Sequence, residues 1–445
     1  MKNLYQEYKK IVLENPKITQ ESYEKAYNYM ENSTARYHGE AVDFLYIPKI
    51  YTAKALDFLN EVAKTIYQIL DKVIKEYKIN PTYRKLFGFP EELEKWLLLP
   101  SQFPCTVPLC RLDLFFNEDD FSFKFCEFNA DGASAMNKDR EIFNAVSQTA
   151  AFKSYTKTTD LQPFELFQSW VDEFINIYKT TPQPKEKPFI AIVDFLESGT
   201  TEEFKIFQKT FIKNGYPTKI CDIRTLKFDG TALYTQDGEK IDAIYRRAVT
   251  GELLEKAQEA RAFLQGVKDG KVCLIGALST QIIHNKILFS VLRTKETKAF
   301  LTAEEWEFVN EHIPLTLVLD DFAMENHNIL SDKDKWIIKP QDLYGSRGVY
   351  AGIDHDSAQW RNLVKAHKNQ GYLLQEYCTA YVTENVEFTP EITWSDYNNI
   401  TGLYLYNAQL KGIYSRVGKT GVISSLHQGR TMTSVLAKNK RDLNQ

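Results

Sequence analysis

Residues 109–132, LCRLDLFFNEDDFSFKFCEFNADG, decide how this chain is read. Two runs rich in Leu and Phe flank the polar turn Asn117-Glu118-Asp119-Asp120, the pattern of two strands joined by a hairpin. Side chains two apart on a strand share a face, so Arg111 goes with Asp113, and Glu127 with Asn129 and Asp131. Where the strands are neighbours, one face collects Asp113, Glu127 and Asn129 beside Arg111. Hard oxygen donors of this kind suit Mg²⁺, which keeps waters and shares a few carboxylates with phosphate oxygens. Arg111 adds a bidentate donor for phosphate. The alternative is an exposed strand pair with ordinary surface charges. It fits less well, because these polar residues interrupt otherwise apolar strands.

Two stretches further along suit the same kind of ligand. Trp336-Ile337-Ile338-Lys339-Pro340 reads as a strand ending in a lysine, and a loop containing Gly345, Ser346, Arg347 and Gly348 follows it. Glycines let backbone N–H groups turn toward phosphate oxygens. The spacing matches neither a Walker A loop nor a dinucleotide fingerprint. Leu373-Leu374-Gln375-Glu376-Tyr377 is an apolar strand ending in groups that can meet an adenine edge and a ribose; taken alone it reads equally as a plain buried strand.

The surrounding chain has 445 residues, enough for roughly two to four units. Hydrophobic residues at 43% and charged residues at 26% give a soluble balance with a sizeable core. A net charge of −4 provides no basic field for a nucleic-acid backbone, and the basic run Lys438–Arg441 reads as a solvated C-terminus. No apolar run reaches the length needed to cross a bilayer and the N-terminus has no signal-peptide core, so a cytoplasmic protein is expected. The six cysteines are scattered without a CxxC pair and read as reduced core thiols.

Residues 1–95 have helical spacing. The proline- and lysine-rich TTPQPKEKP, 180–188, reads as a linker, and an α/β rhythm follows: strands at 189–195, TKICDI and 240–249, with helices at 200–214, 251–265 and 279–295. A helix is expected over 139–151 and another over 357–367. GLYLYNAQLKGIYSRVG and TGVISSL read as the two closing strands.

Together these clusters resemble the ATP-grasp enzymes, and more closely the circularly permuted branch containing glutathionylspermidine synthase. That family's Arg-x-Asp strand followed by Glu-x-Asn-Ala-Asp is matched by Arg111, Asp113, Glu127, Asn129 and Asp131. The resemblance implies that Asp113, Glu127 and Asn129 hold Mg²⁺ and that Arg111 is the catalytic contact to the transferring phosphate of ATP. It implies that Lys286 and Lys339 contact ATP phosphates, that Gly345–Gly348 is a mobile loop over them, and that Gln375, Glu376 and Tyr377 form the adenine hinge. Tyr245, Arg246 and Arg247 look like the family's substrate-domain strand, and Arg416 like the end of its grasp domain. Arg246, Arg247 and Arg416 are then candidates for gripping a substrate carboxylate.

The implied fold is α/β in the mixed α+β sense: an ATP-grasp-like core with an α/β substrate-binding domain and a helical N-terminal segment. The expected divisions are 1–95 helical, 96–180 metal-binding strands, 181–295 substrate domain, and 296–445 phosphate loop and adenine hinge. The implied activity is a carboxylate–amine ligase acting through an acyl phosphate on small-molecule or peptide substrates. The rival readings are a non-catalytic relative that binds nucleotide or peptide as a scaffold, and a phosphotransferase that stops at phosphorylation. The cysteine-dependent amidase domain of the bifunctional members has no counterpart stretch here.

Overall fold

The computed structural model describes the 445 residues other than His38, Tyr344, Pro390, Ser425, Leu426 and 439–445, and other than the side chains of Thr389 and Glu391. Helices α1 (Lys2–Glu14) and α2 (Pro16–Glu31) precede the 27-residue helix α3 (Ala53–Ile79). Thr52 caps α3 by accepting the Ala55 N–H, one of the donors a helix start leaves orphaned. Leu59, Val62, Ala63, Ile66, Leu70, Val73 and Tyr77 form its buried stripe, at the spacing of a one-sided helix.

Between these helices lie a short ribbon of β1 (Arg36–Tyr37) and β2 (Glu40–Ala41), and β3 (Lys49–Tyr51). The hairpin strands β4 (Leu109–Phe116) and β5 (Phe123–Asn129) follow, then helix α4 (Met136–Val146), β6 (Asp160–Pro163) and α5 (Phe167–Lys179). Leu112, Leu114, Phe125 and Phe128 join the buried stripe of α3 in one core, which turns Arg111 and Asp113 to the other face.

A parallel sheet of β7 (Ile190–Asp194), β8 (Thr218–Asp222), β11 (Ala243–Arg246) and β12 (Cys273–Ile275) runs in the order β12-β11-β7-β8, with α6 (Thr201–Lys213) after its first strand. Beside it, β9 (Lys227–Phe228) and β10 (Leu233–Tyr234) make a second ribbon. The third unit is an antiparallel sheet, β13-β16-β14-β15, from Thr316–Val318, Tyr372–Glu376, Trp336–Pro340 and Tyr350–Ala351. The chain closes with β17 (Val382–Thr389), β18 (Glu391–Tyr406), β19 (Gln409–Gly418), β20 (Arg430–Met432) and β21 (Ser434–Lys438). Strand β18 pairs with β4, so the hairpin at 109–129 becomes the edge of a six-stranded sheet, β20-β19-β18-β4-β5 with β17 on β18.

The mixed α/β class is as expected, but several boundaries differ. GLYLYNAQLKGIYSRVG is two strands: Asn407 and Ala408, both at positive φ, turn β18 into β19. Of TGVISSL, Thr420–Ser424 form no strand, and Ser425 and Leu426 lie outside the described residues. The helix expected over 139–151 is α4 and a second helix, Ala150–Tyr155, which Thr149 caps. That over 251–265 is split into Thr250–Glu255 and Arg261–Lys268. That over 279–295 breaks at Asn285, where the Lys286 N–H leaves helical pairing to donate to the Gln341 carbonyl. Ahead of the proline-rich run, Trp170 and Phe174 of α5 pack in the same core as Ile190, Ile192 and Tyr245 of the parallel sheet. The N-terminal helices are not detached either, because β3 joins the sheet β3-β21-β6, and the buried Lys49 pairs with Glu118 and Asn399. All six cysteines are unpaired, and among the described residues no helix is long and apolar enough to cross a membrane.

Asp139 of α4 ties this closing sheet down by accepting the Ser434 N–H at 3.1 Å. Burial lifts its pKa to about 7 against the lowering effect of the Ser434 and Thr433 bonds. A native pKa above the unfolded value (~3.9) means stability is full below the unfolded value and is lost as pH rises through about 7. The Asp139 contribution to the melting temperature is therefore expected to fall between about pH 4 and about pH 7 and to level off above that. The fall should be smaller in Asp139→Asn, and equal slopes in the two proteins would refute this role.

Candidate active site

The hairpin reaches its working geometry through a one-residue irregularity. Asp113 faces Glu127 across the ladder while Leu114 faces Phe125, so Cys126 is the extra residue of a β-bulge. The bulge lets Phe125 and Phe128, three apart, both enter the core, and it leaves Glu127 and Asn129 on the face of Arg111 and Asp113. It also frees the Cys126 carbonyl, which accepts from Lys339 Nζ at 3.2 Å.

Asp113 has 0% exposure. Its Oδ1 accepts from Arg111 Nε at 2.7 Å. Its Oδ2 takes Arg111 at 3.0 Å, Asn129 Nδ2 at 3.2 Å and Arg416 at 2.5 Å. Arg416 also reaches Glu127 Oε1 at 3.5 Å. Opposite Asp113 on β18 stands Gly402, where a Cβ would come within 2.7 Å of Asp113 Oδ1 and 2.9 Å of Arg111 Cδ, so only glycine allows this packing. Burial would raise the Glu127 pKa, but Lys286, Arg416, Lys339 and Arg111 hold the carboxyl well below the usual range.

Glu127 and Arg416 stand on the wall of a cleft that lies between this sheet and β14–β16 and encloses about 540 Å³ including its open mouth. Lys286, Lys339 and Ser346 line its charged end with them. Phe115, Ile337, Val349, Tyr377, Ile400 and Val422 line an apolar slot, with Gln375 and Glu376 beside it. Lys339 donates to Gln375 Oε1 at 2.7 Å, and Gln375 in turn donates to Thr316 at 2.9 Å. Lys286 donates to the Leu343 carbonyl at 2.9 Å, just ahead of the glycine loop. Burial, and then Lys339, lower the Lys286 pKa against Glu127. Gly345, Ser346 and Gly348 are all at positive φ, and Arg347 is exposed between them.

Arg246 and Arg247 lie elsewhere. Arg246 pairs with Asp131 at 2.6 Å, with side-chain exposures of 1% and 0%. Arg247 pairs with Glu203 at 3.0 Å, with exposures of 3% and 2%, and also donates to the Ala133 carbonyl and to Tyr245 Oη. The Asp131 carboxylate further accepts the Thr250 N–H at 2.6 Å, and Arg111 donates to the Ser134 carbonyl at 3.0 Å. Both arginines therefore clamp the crossing 130–135 between β5 and α4, where Gly132 and Ala135 are at positive φ. In this arrangement neither guanidinium is presented to a substrate carboxylate. Their neighbours Asp131 and Glu203 come from distant parts of the chain, which the local pattern IDAIYRRAV does not reveal.

A metal is a further question of fit. Among the described residues no group of three or more His, Cys, Asp or Glu is arranged to hold one. Both oxygens of Asp113 are taken by guanidinium groups, whereas Glu127 is ionised and faces the cleft beside Asn129. Glu127 is thus the carboxylate that suits Mg²⁺, which binds through one or two carboxylates plus ligand phosphates, and Asn129 stands beside it with its Nδ2 3.5 Å from Glu127 Oε1.

Breaking a buried pair leaves an uncompensated charge at a cost of about 3–5 kcal/mol. Arg247→Met is accordingly expected to lower stability by about that amount in urea unfolding. An unchanged midpoint would return Arg247 to the set of free, ligand-gripping arginines.

No protein-family model matches the chain, and no curated protein matches it. Among solved structures it is similar to a glutathione synthetase-like effector of Globodera pallida in its apo form, at a TM-score of 0.64 and 12% identity, covering 95% of this chain and 97% of that one. The likeness spans essentially both chains, and the chain has a glutathione synthetase-like fold.

Proposed function

We propose that this chain binds Mg·ATP in the cleft between the two sheets and uses it to join a carboxylate to an amine. The observation that carries this is the meeting, in one cleft, of an apolar slot with a charged end formed by Lys286, Lys339, Arg416 and Glu127. A base suits the slot and a triphosphate the charged end. Among the described residues neither Lys286 nor Lys339 has a carboxylate within 4.0 Å, so both ammonium groups can serve phosphate oxygens. Gln375 orients Lys339, and Glu376 and Tyr377 border the base. Gly345, Ser346, Arg347 and Gly348 cover the phosphates. The strand carrying Glu127 and Asn129 precedes the lysine and glycine loop in the chain, which is the order of a permuted ATP-grasp.

The residues then divide the reaction. The substrate carboxylate attacks the γ-phosphorus and ADP leaves, giving an acyl phosphate. The amine nitrogen attacks the carbonyl, inorganic phosphate leaves and the amine proton is lost. Arg416, on the cleft wall, stabilises the charge spread over the transferring group, and Arg111, locked to Asp113 and the Ser134 carbonyl, supports it from behind through Asp113. When bound, Mg²⁺ on Glu127 and Asn129 would neutralise phosphate charge. Exclusion of water by the glycine loop protects the acyl phosphate from hydrolysis. Arg246 and Arg247 hold the crossing to α4 in place and do not touch substrate.

One observation favours a second reading, a relative that binds a nucleotide or peptide without turnover: Asp113 is saturated by two guanidinium groups and offers the site no free carboxylate. Calorimetry with Mg·ATP tests both. Wild type is expected to bind, and Lys339→Met and Glu127→Gln each to weaken binding about tenfold or more, which is ~1.4 kcal/mol. Folded wild type that binds no nucleotide would sink the ATP reading. Binding without ADP release across carboxylate and amine pools would favour the second.

A further inference from the structure

Lys138, the third residue of α4, is a cation without an obvious reason to be where it is. It is half-buried, with its ammonium 4.7 Å from the centre of the Tyr37 ring. Among the described residues no carboxylate lies within 4.0 Å of it. The acid that acts on it, Glu203, already accepts from Arg247 at 3.0 Å and from the Asn137 N–H at 3.1 Å. Burial lowers the Lys138 pKa to about 8 against Glu203, and Arg416 and Arg111 lower it further, so all three cations share one field. Arg111 and Arg416 are committed to Asp113, and Lys138 alone of the three has no carboxylate of its own.

The place is also bounded by the glycine loop. Tyr37 belongs to the β1–β2 ribbon, and its hydroxyl lies 3.8 Å from where a Cβ on Gly345 would stand. An ammonium drawn out of water without an anion is costly, and such a group is retained where a ligand supplies the charge.

We propose that Lys138 is a substrate-binding residue that pairs with a carboxylate of the acid substrate, in the corner formed by Tyr37, the first turn of α4 and the Gly345–Gly348 loop. The role of that carboxylate in a reaction rests on the ligase reading, while the anion site does not. It also gives the N-terminal segment a task, because Tyr37 is the one part of that segment placed at both Lys138 and the loop among the contacts described.

The test uses the wild-type full chain and pyridoxal 5′-phosphate, an anionic aldehyde. It condenses with an unprotonated lysine amine to an imine, releasing water, and borohydride reduces the imine to a stable amine whose position mass spectrometry maps. Lys138 is expected to label about tenfold faster than exposed Lys10 and Lys64, because a lower pKa leaves more free amine. Succinate, the carboxylate probe, is expected to slow labelling at Lys138 about fivefold or more, and Mg·ATP to slow it at Lys286 and Lys339. Labelling of Lys138 that is indifferent to succinate overturns the proposal. Protection of Lys138 by succinate without protection of the other two by Mg·ATP supports the anion site and removes the nucleotide reading. As a second measurement, succinate should raise the melting temperature of wild type and Lys138→Arg but not of Lys138→Met; equal rises in all three would also overturn it.

Discussion

A carboxylate shut away from water, that of Asp113, sets the terms for the rest of the molecule. A lone buried charge is expensive, and here two guanidinium groups from different strands meet it. Arg111 lies on the same strand, but Arg416 arrives from β19 across β18, so the pairing fixes how three strands align. A slip of one residue would turn every side chain to the opposite face and break it. Gly402 keeps the middle strand low enough for the arrangement to pass over it. The surplus is equally important. Lys286, Lys339, Arg111 and Arg416 all act on Glu127, and three of them line the cleft, so a chain with a net charge of −4 concentrates positive charge there. Such a field, focused between low-dielectric walls, selects anions and draws them in.

The second constraint is the crossing from β5 to α4. Its carbonyls and its carboxylate are held by Arg111, Arg246 and Arg247, so the parallel sheet and the antiparallel sheet are bolted together through a few charged contacts as well as through the core around Trp170, Tyr245 and Tyr406. Rigid placement of that crossing fixes the start of α4, where the Lys138 ammonium lies over the Tyr37 ring. The arginines thus act on the site from behind.

How much of this could be read in the chain depended on whether the informative contact was local. The hairpin at 109–132 was legible because alternation and a polar turn lie in adjacent residues, and the strand ends Lys339 and Gln375 were legible for the same reason. The bulge at Cys126 was hidden, since a single extra residue leaves no mark on composition. The turn at Asn407-Ala408 escaped because alanine stands where glycine would have announced it. Arg246 and Arg247 looked available because their acids, Asp131 and Glu203, are brought to them only by tertiary folding. Lys138 lies just ahead of the helix expected over 139–151, and β3 falls inside the span read as helical, because its partner β21 lies far along the chain.

The pairing of Arg416 with Asp113 spans 303 residues of sequence. During synthesis the hairpin that carries Asp113 leaves the ribosome well before the strands that complete its sheet. Until then its edge and its charged face have no native neighbours, which makes them a template for wrong pairing. Assembly of the cleft is therefore a late event, slow in the manner of folds built on distant contacts. A chain cut short before β18 would be missing far more than its last strands: it would carry an unfinished sheet with a buried-type carboxylate left in the open.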